Sequence, residues 1–189
     1  YIISHNCKNL EFNSGSLSKK IPLRMTFWGI VRQEDYQKKI CGKFGNDNRF
    51  ELYYHGEGCT MSLANYCEKH KYDNIKFTGR YYPEDIPDFA EKTDILLNLY
   101  ENEGKQEYAL TVKLYDAVRY HIPMLISKGS YMERYLKEYS FAKAIDLNSV
   151  DNSEIIGWYS QLKEENLIKD FECFVKQVYR DDEVFEEKL

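Results

Sequence analysis

The sequence predicts a parallel α/β sheet of six strands with helices on both faces, followed by C-terminal helices. Three observations carry this. Apolar runs of about four to six residues alternate with stretches of about ten residues at helical spacing. The runs are nearly unbroken rather than alternating, as strands buried on both faces require. The chain has 189 residues, 43% hydrophobic and 30% charged, enough to bury the core of one good-sized domain.

Taken in order, residues 1–24 are irregular: 1–4 suit a strand, and Asn13-Ser14-Gly15-Ser16 is a turn or linker. The aromatic, apolar run over 25–31 reads as the first strand, closing near Gly29. Tyr36, Ile40 and Phe44 are spaced as one face of a helix over 34–44. Residues 50–54 form the second strand, closed by His55-Gly56-Glu57-Gly58, and 61–70 a helix with Leu63, Ala64 and Cys67 inward. The third strand covers 75–78 and stops at Gly79. Pro83 suits a helix start, with Ile86, Phe89 and Ala90 as its apolar face. The aliphatic run 94–99 is strand four, and 100–106 is a long polar loop. Thr111 is placed to cap a helix from Val112, with Pro123 just beyond its end. Strand five (124–126), a helix (131–139) and strand six (141–145) complete the alternation. Two helices follow, over 151–163 and 164–180, the second with Leu167, Phe171, Phe174, Val175 and Val178 on one stripe. The acidic stretch 181–189 is expected to fray.

The architecture is Rossmann-like. Its expected parts are an N-terminal segment or interdomain linker over 1–24, the sheet domain over 25–150, and helices completing it over 151–189. In such sheets ligands bind outside the carboxyl ends of the strands. The loops at 29–33, 55–60, 78–83, 100–111 and 127–130 are therefore where a site is expected.

The bulk chemistry narrows the function. A net charge of −5 argues against nucleic acid as a partner. No apolar run reaches the length of a membrane span, and no stretch has the layout of a signal peptide. The chain starts with Tyr1 rather than Met, so a piece of a longer protein is expected. Its five cysteines are scattered with no Cys-x-x-Cys pair, so reduced cytosolic thiols are expected. The four histidines show no metal spacing.

Residues 107–127 carry the most specific signal. Lys113 and Asp116 share a face of the first turn of the expected helix. A helix N-terminus favours anions, so a lysine there suits phosphates and the carboxylate one turn on suits sugar hydroxyls. The competing reading is an ordinary amphipathic helix with a solvated Lys and Asp. Arg32, at the end of strand one, can fork onto phosphate oxygens; Arg80 after Gly79 is similar, and either can be a plain loop arginine. Gly56-Glu57-Gly58 follows the second strand and lacks the third glycine of a dinucleotide fingerprint, which disfavours an oxidoreductase. There is no P-loop, and no Gly-x-Ser-x-Gly elbow.

Four segments, in order, resemble the C-terminal, donor-binding domain of a GT-B glycosyltransferase of the family 4 type, and within it capsular-polysaccharide enzymes. They are Thr26-Phe27-Trp28-Gly29 with Arg32; the strand 50–54 with its Gly-x-Gly turn; Ile75-Lys76-Phe77-Thr78-Gly79-Arg80 with Thr93-Asp94-Ile95; and Lys113-Leu114-Tyr115-Asp116 with Pro123 beyond. The resemblance covers residues 24–146. It implies a retaining transfer of a hexosyl group from a nucleoside diphosphate sugar, with no cofactor and no obligatory metal. Gly29, Arg32 and Lys113 would hold the diphosphate. Asp116 would hold the ribose, Gly79, Arg80 and Tyr81 would flank the base, and Leu114 belongs to the nucleotide-binding stretch. Glu107 or Tyr108 would contact the sugar, with Glu107 and Lys113 as the catalytic pair. Where the family commonly has Gly two positions before the proline, this chain has His121. The partners implied are the nucleotide-sugar donor and a missing N-terminal, acceptor-binding half. A cytoplasmic location follows, at the inner face of the membrane if that half associates peripherally. The alternative is a non-catalytic nucleotide-binding or protein-interaction module on the same fold.

Overall fold

The computed structural model describes residues 17, 18, 20–102, 104 and 108–187; the expectations for 1–16, 188–189 and Glu107 lie outside them. Six strands form one sheet: β1 (Leu23–Trp28), β2 (Phe50–His55), β3 (Ile75–Gly79), β4 (Ile95–Asn98), β5 (Met124–Ser127) and β6 (Ala142–Ile145). All pairs are parallel, in the order β3-β2-β1-β4-β5-β6. The chain winds outward from β1 in one direction and from β4 in the other. The loops leaving these two central strands therefore part, and a crevice opens between them.

The helices are α1 (Glu34–Phe44), α2 (Thr60–His70), α3 (Ile86–Ala90), α4 (Val112–Arg119), α5 (Tyr131–Tyr135), α6 (Asn152–Gln161) and α7 (Glu164–Glu186). Central β4 is buried along its whole length, as its unbroken aliphatic run predicts. β2 alternates instead: Phe50, Leu52 and Tyr54 are buried, while Glu51, Tyr53 and His55 are half-buried. The lower ends of β1 and β4 are joined by Asp94, which accepts from the Arg24 amide (2.7 Å) and from the Tyr159 hydroxyl of α6 (3.4 Å).

Three elements differ from the sequence expectation, each for a local reason. The helix expected from Pro83 breaks into a 3-10 turn (Pro83–Asp85) and α3. Pro87 has no N–H to give the Pro83 carbonyl, so Ile86 bonds to it instead. The helix expected over 131–139 keeps regular geometry only to Tyr135, with a turn at 136–138. The acidic stretch expected to fray stays helical to Glu186. There Asp181 accepts from Tyr135 (3.0 Å) and Gln177 (2.7 Å), which turns a repelling carboxylate into a tie to α5. The apolar stripe of α7 is buried as expected, with Phe171 stacked on Phe141 at 4.5 Å and on His121 at 5.0 Å. His121 itself sits at φ +53°, the left-handed backbone that glycine adopts most easily.

The Gly-x-Gly turn after β2 has a packing role. Gly29 donates to the His55 carbonyl (3.0 Å), Val31 to Glu57 (2.7 Å), Cys59 to Val31 (3.1 Å) and Gly56 to Gly79 (2.7 Å). The loops after β1 and β2, with the last residue of β3, thus continue the sheet through backbone bonds. A Cβ at Gly56 would lie 1.9 Å from the Gly29 oxygen, and one at Gly58 2.2 Å from the Val31 oxygen. Gly56→Ala should therefore destabilise the fold by more than about 1–3 kcal/mol, the scale of backbone strain alone, since a backbone clash is added. Gly79→Ala is the control: its φ is also positive (+78°) but nothing lies within 4 Å of the new methyl. Urea midpoints decide it, and equal losses in the two variants would contradict the seam.

Candidate functional site

The crevice between the β1 and β4 loops is a cleft of 390 Å³. β1 and its loop contribute Trp28, Gly29, Ile30 and Arg32, and the loop after β3 contributes Tyr81. Tyr100 follows β4, and Thr111, Val112, Lys113 and Asp116 form the head of α4. Lys113 and Arg32, 81 positions apart in sequence, thus share one cleft, with Asp116 one turn further on.

The head of α4 is set by β4. Thr111 occupies the N-cap position but its side chain makes no capping bond. Its hydroxyl donates to Asn98 Oδ1 at the end of β4 (2.9 Å) instead. The helix start is thereby tied to the sheet, and its first amides lack a side-chain cap as they face the cleft. Tyr100 is fixed in turn by Ser127 at the end of β5, whose hydroxyl donates to the Tyr100 carbonyl (2.6 Å) and accepts from its amide (2.8 Å). Gln33, held at φ +57°, clamps the same loop: its side chain bonds both the amide (2.9 Å) and the carbonyl (3.3 Å) of Glu101.

Lys113 is 8% exposed. Its ammonium donates to the Tyr100 hydroxyl and lies 4.2 Å from the centre of the Phe27 ring. Gly29, at φ +120°, lies beside it: a Cβ there would meet Lys113 Nζ at 3.5 Å, an ordinary contact. Burial pulls the lysine down to about 8; Asp116 opposes that shift and Arg32 adds to it. Burial also pushes the Tyr100 hydroxyl up to about 12. Asp116 is raised by burial, against a hydrogen bond from Trp28 and the charges of Arg119 and Lys113. Tyr81 is raised by burial and then by Asp116. The result is a desolvated cation beside open helix amides, an exposed Arg32 at the rim, and a carboxylate acceptor alongside. Such a set binds an anion and a hydroxyl-bearing group together.

Of the residues singled out from sequence, Gly29, Arg32, Tyr81, Lys113 and Asp116 line this cleft. Gly79, Arg80, Tyr108 and Leu114 do not. Gly79 gives its carbonyl to Gly56, and Arg80 lies over the Tyr82 ring at 5.6 Å. Tyr108 is 62% exposed, and Leu114 is fully buried in the core. Trp28 and Tyr100 are the residues that sequence reasoning missed. Trp28 was hidden by its place in an apolar strand, and Tyr100 opened a polar loop from which no single residue stood out. Two further clefts of 310 Å³ each lie over β5–β6 and over β1–β3, and neither joins a buried lysine to a helix start. Among the described residues no helix is long and apolar enough to cross a membrane.

No family model and no curated protein matches the sequence. Solved structures share the fold. The apo form of the lipopolysaccharide outer core galactosyltransferase WaaB superposes with a TM-score of 0.64 at 13% identity, over 99% of this chain and 54% of that one. The catalytic domain of cholesterol-α-glucosyltransferase from Helicobacter pylori gives 0.60 at 14%, over 84% and 98%. Anabaena Alr3699/HepE in complex with UDP-glucose gives 0.61 at 11%, over 88% and 48%. The chain spans about half the length of the galactosyltransferase and of HepE. At these identities the likeness is one of fold.

The buried lysine makes a prediction of its own. Its ordinary value is 10.5 and the folded value about 8, so between these the unfolded chain holds a proton that the folded chain releases. Stability should therefore rise with pH across that window, by on the order of 3 kcal/mol from this group. Lys113→Met should flatten the rise and be the more stable protein at pH 7. Urea titrations from pH 7 to 10.5 measure the difference, and parallel curves for the two proteins would contradict the desolvated ammonium.

Proposed function

We propose that the chain is the nucleotide-sugar-binding domain of a GT-B glycosyltransferase. The carrying observation is the meeting of Lys113, Arg32 and the uncapped head of α4 on one cleft, with Asp116 beside them. The shared fold with glycosyltransferases supports the reading. In it the diphosphate rests on the α4 amides between Lys113 and Arg32. The ribose hydroxyls bond Asp116, and the base lies toward Tyr81 and Ile30. The chemistry is electrostatic: cations and amides already in place stabilise the charge that grows on the departing diphosphate, and no metal is obligatory. Retention at the sugar carbon, contact of Glu107 or Tyr108 with the hexosyl group, and a role in surface or capsular polysaccharide synthesis belong to the same proposal. So do the separate acceptor-binding half and a cytoplasmic site of action at the inner membrane face.

Two outcomes test this. Asp116→Ala should weaken nucleoside diphosphate binding by about 1.5–3 kcal/mol in a folded protein, the worth of charge-assisted hydrogen bonds. Calorimetry over UDP, GDP, ADP, TDP and CDP identifies the base; no affinity for any of them would favour the non-catalytic module instead. Arg32→Ala should weaken the diphosphate far more than the bare nucleoside, and added salt should narrow that gap because the rim cation is exposed. Equal losses for both ligands would contradict a phosphate role for Arg32.

A further inference from the structure

The indole of Trp28 donates from Nε1 to Asp116 Oδ2 at 2.8 Å. The two residues lie 88 positions apart, on β1 and α4. Trp28 is 2% exposed, and its ring is held against Phe89 at 5.3 Å, which packs edge-on against Tyr81 at 5.4 Å. Its only polar atom thus has a fixed direction. An indole N–H can donate but not accept, so it satisfies a carboxylate oxygen without competing for a ligand's donors. Among the described residues Asp116 Oδ1 accepts no hydrogen bond, and Asp116 lines the cleft. Burial works to protonate this carboxyl, and the indole N–H, with Lys113 and Arg119 on α4, works against it. Among the described residues Tyr81 also faces it, from the loop after β3.

We infer that Trp28 is a positioning residue for the donor: its N–H orients the Asp116 carboxylate so that Oδ1 meets the vicinal hydroxyls of the ribose. This rests on the proposed nucleotide site and adds to it. A protonated or rotated Asp116 would offer the hydroxyls a weaker, misplaced acceptor. Trp28 therefore sets the preference for a ribonucleotide over its deoxy counterpart through Asp116.

The test is Trp28→Phe, which keeps an aromatic ring against Phe89 and removes the N–H. Calorimetry compares a nucleoside diphosphate with its 2′,3′-dideoxy analogue in each protein. Wild type should prefer the ribonucleotide by about tenfold or more, and Trp28→Phe should lose most of that preference, the ribonucleotide losing more affinity than the dideoxy analogue. An equal loss on both ligands would mean that Trp28 only supports the fold, and would overturn the inference. Carbon NMR of the Asp116 carboxyl gives a readout free of ligand: its titration should move to higher pH in Trp28→Phe, and an unmoved titration overturns the pairing. If that variant does not fold, the unsubstituted protein still decides. It has two tryptophans, so the Trp28 Nε1–H resonance can be assigned. That resonance should follow the Asp116 titration, and a pH-independent signal refutes the bond. Failure of wild type to bind any nucleoside diphosphate would overturn the proposed function, while the two titrations would still judge the Trp28–Asp116 pairing.

Discussion

The ammonium of Lys113 is the constraint on which the site depends. A desolvated cation is costly, and it persists here because its neighbours are arranged around it. The Phe27 ring face and the Tyr100 hydroxyl take up the charge, and Asp116 balances it from one turn along α4. Each neighbour is then fixed by something else. Phe27 belongs to the central strand and packs on Tyr54 at 5.7 Å. Tyr100 is pinned by Ser127, and Asp116 by Trp28. A cation held dry in advance needs little reorganisation when an anion arrives, so its attraction acts at nearly full strength.

The loops carrying these groups are stiffened by backbone rather than by side chains. The glycine seam between the β1 and β2 loops extends the sheet past its strands, and the Gln33 clamp joins the β1 loop to the β4 loop. Thr111 gives up the cap of its own helix to tie that helix to Asn98. The fold thereby keeps the head of α4, which lacks a side-chain cap, at the cleft, and the strand beside it steadies that helix end. Rigid strand ends and one helix head are the supports that hold such a constellation in place.

Much of this was legible in the residues. The six strands fall on the six apolar runs, and α1 and the stripe of α7 coincide with their spacing. The three-residue spacing of Lys113 and Asp116 put both on one face, and strand-end logic put Arg32 near them. What stayed hidden depended on long-range partners. Trp28 reads as one more aromatic in a buried strand until the order β1–β4 brings α4 over it. Thr111 reads as a cap because the competing acceptor, Asn98, is thirteen positions away and meets it only in the fold. Asp181 reads as part of a frayed acidic tail until Tyr135 of α5 is seen to donate to it. Pro87 is the exception: its missing donor was in the sequence, and the 3-10 turn before α3 follows from it directly.

A crystal structure of the chain with a nucleoside diphosphate tests the central claim most directly. The account predicts the diphosphate on the Val112 and Lys113 amides, within hydrogen-bond reach of Lys113 Nζ, with the ribose hydroxyls on Asp116. A nucleotide seated in the cleft over β5 and β6, or a diphosphate turned away from the head of α4, would contradict it.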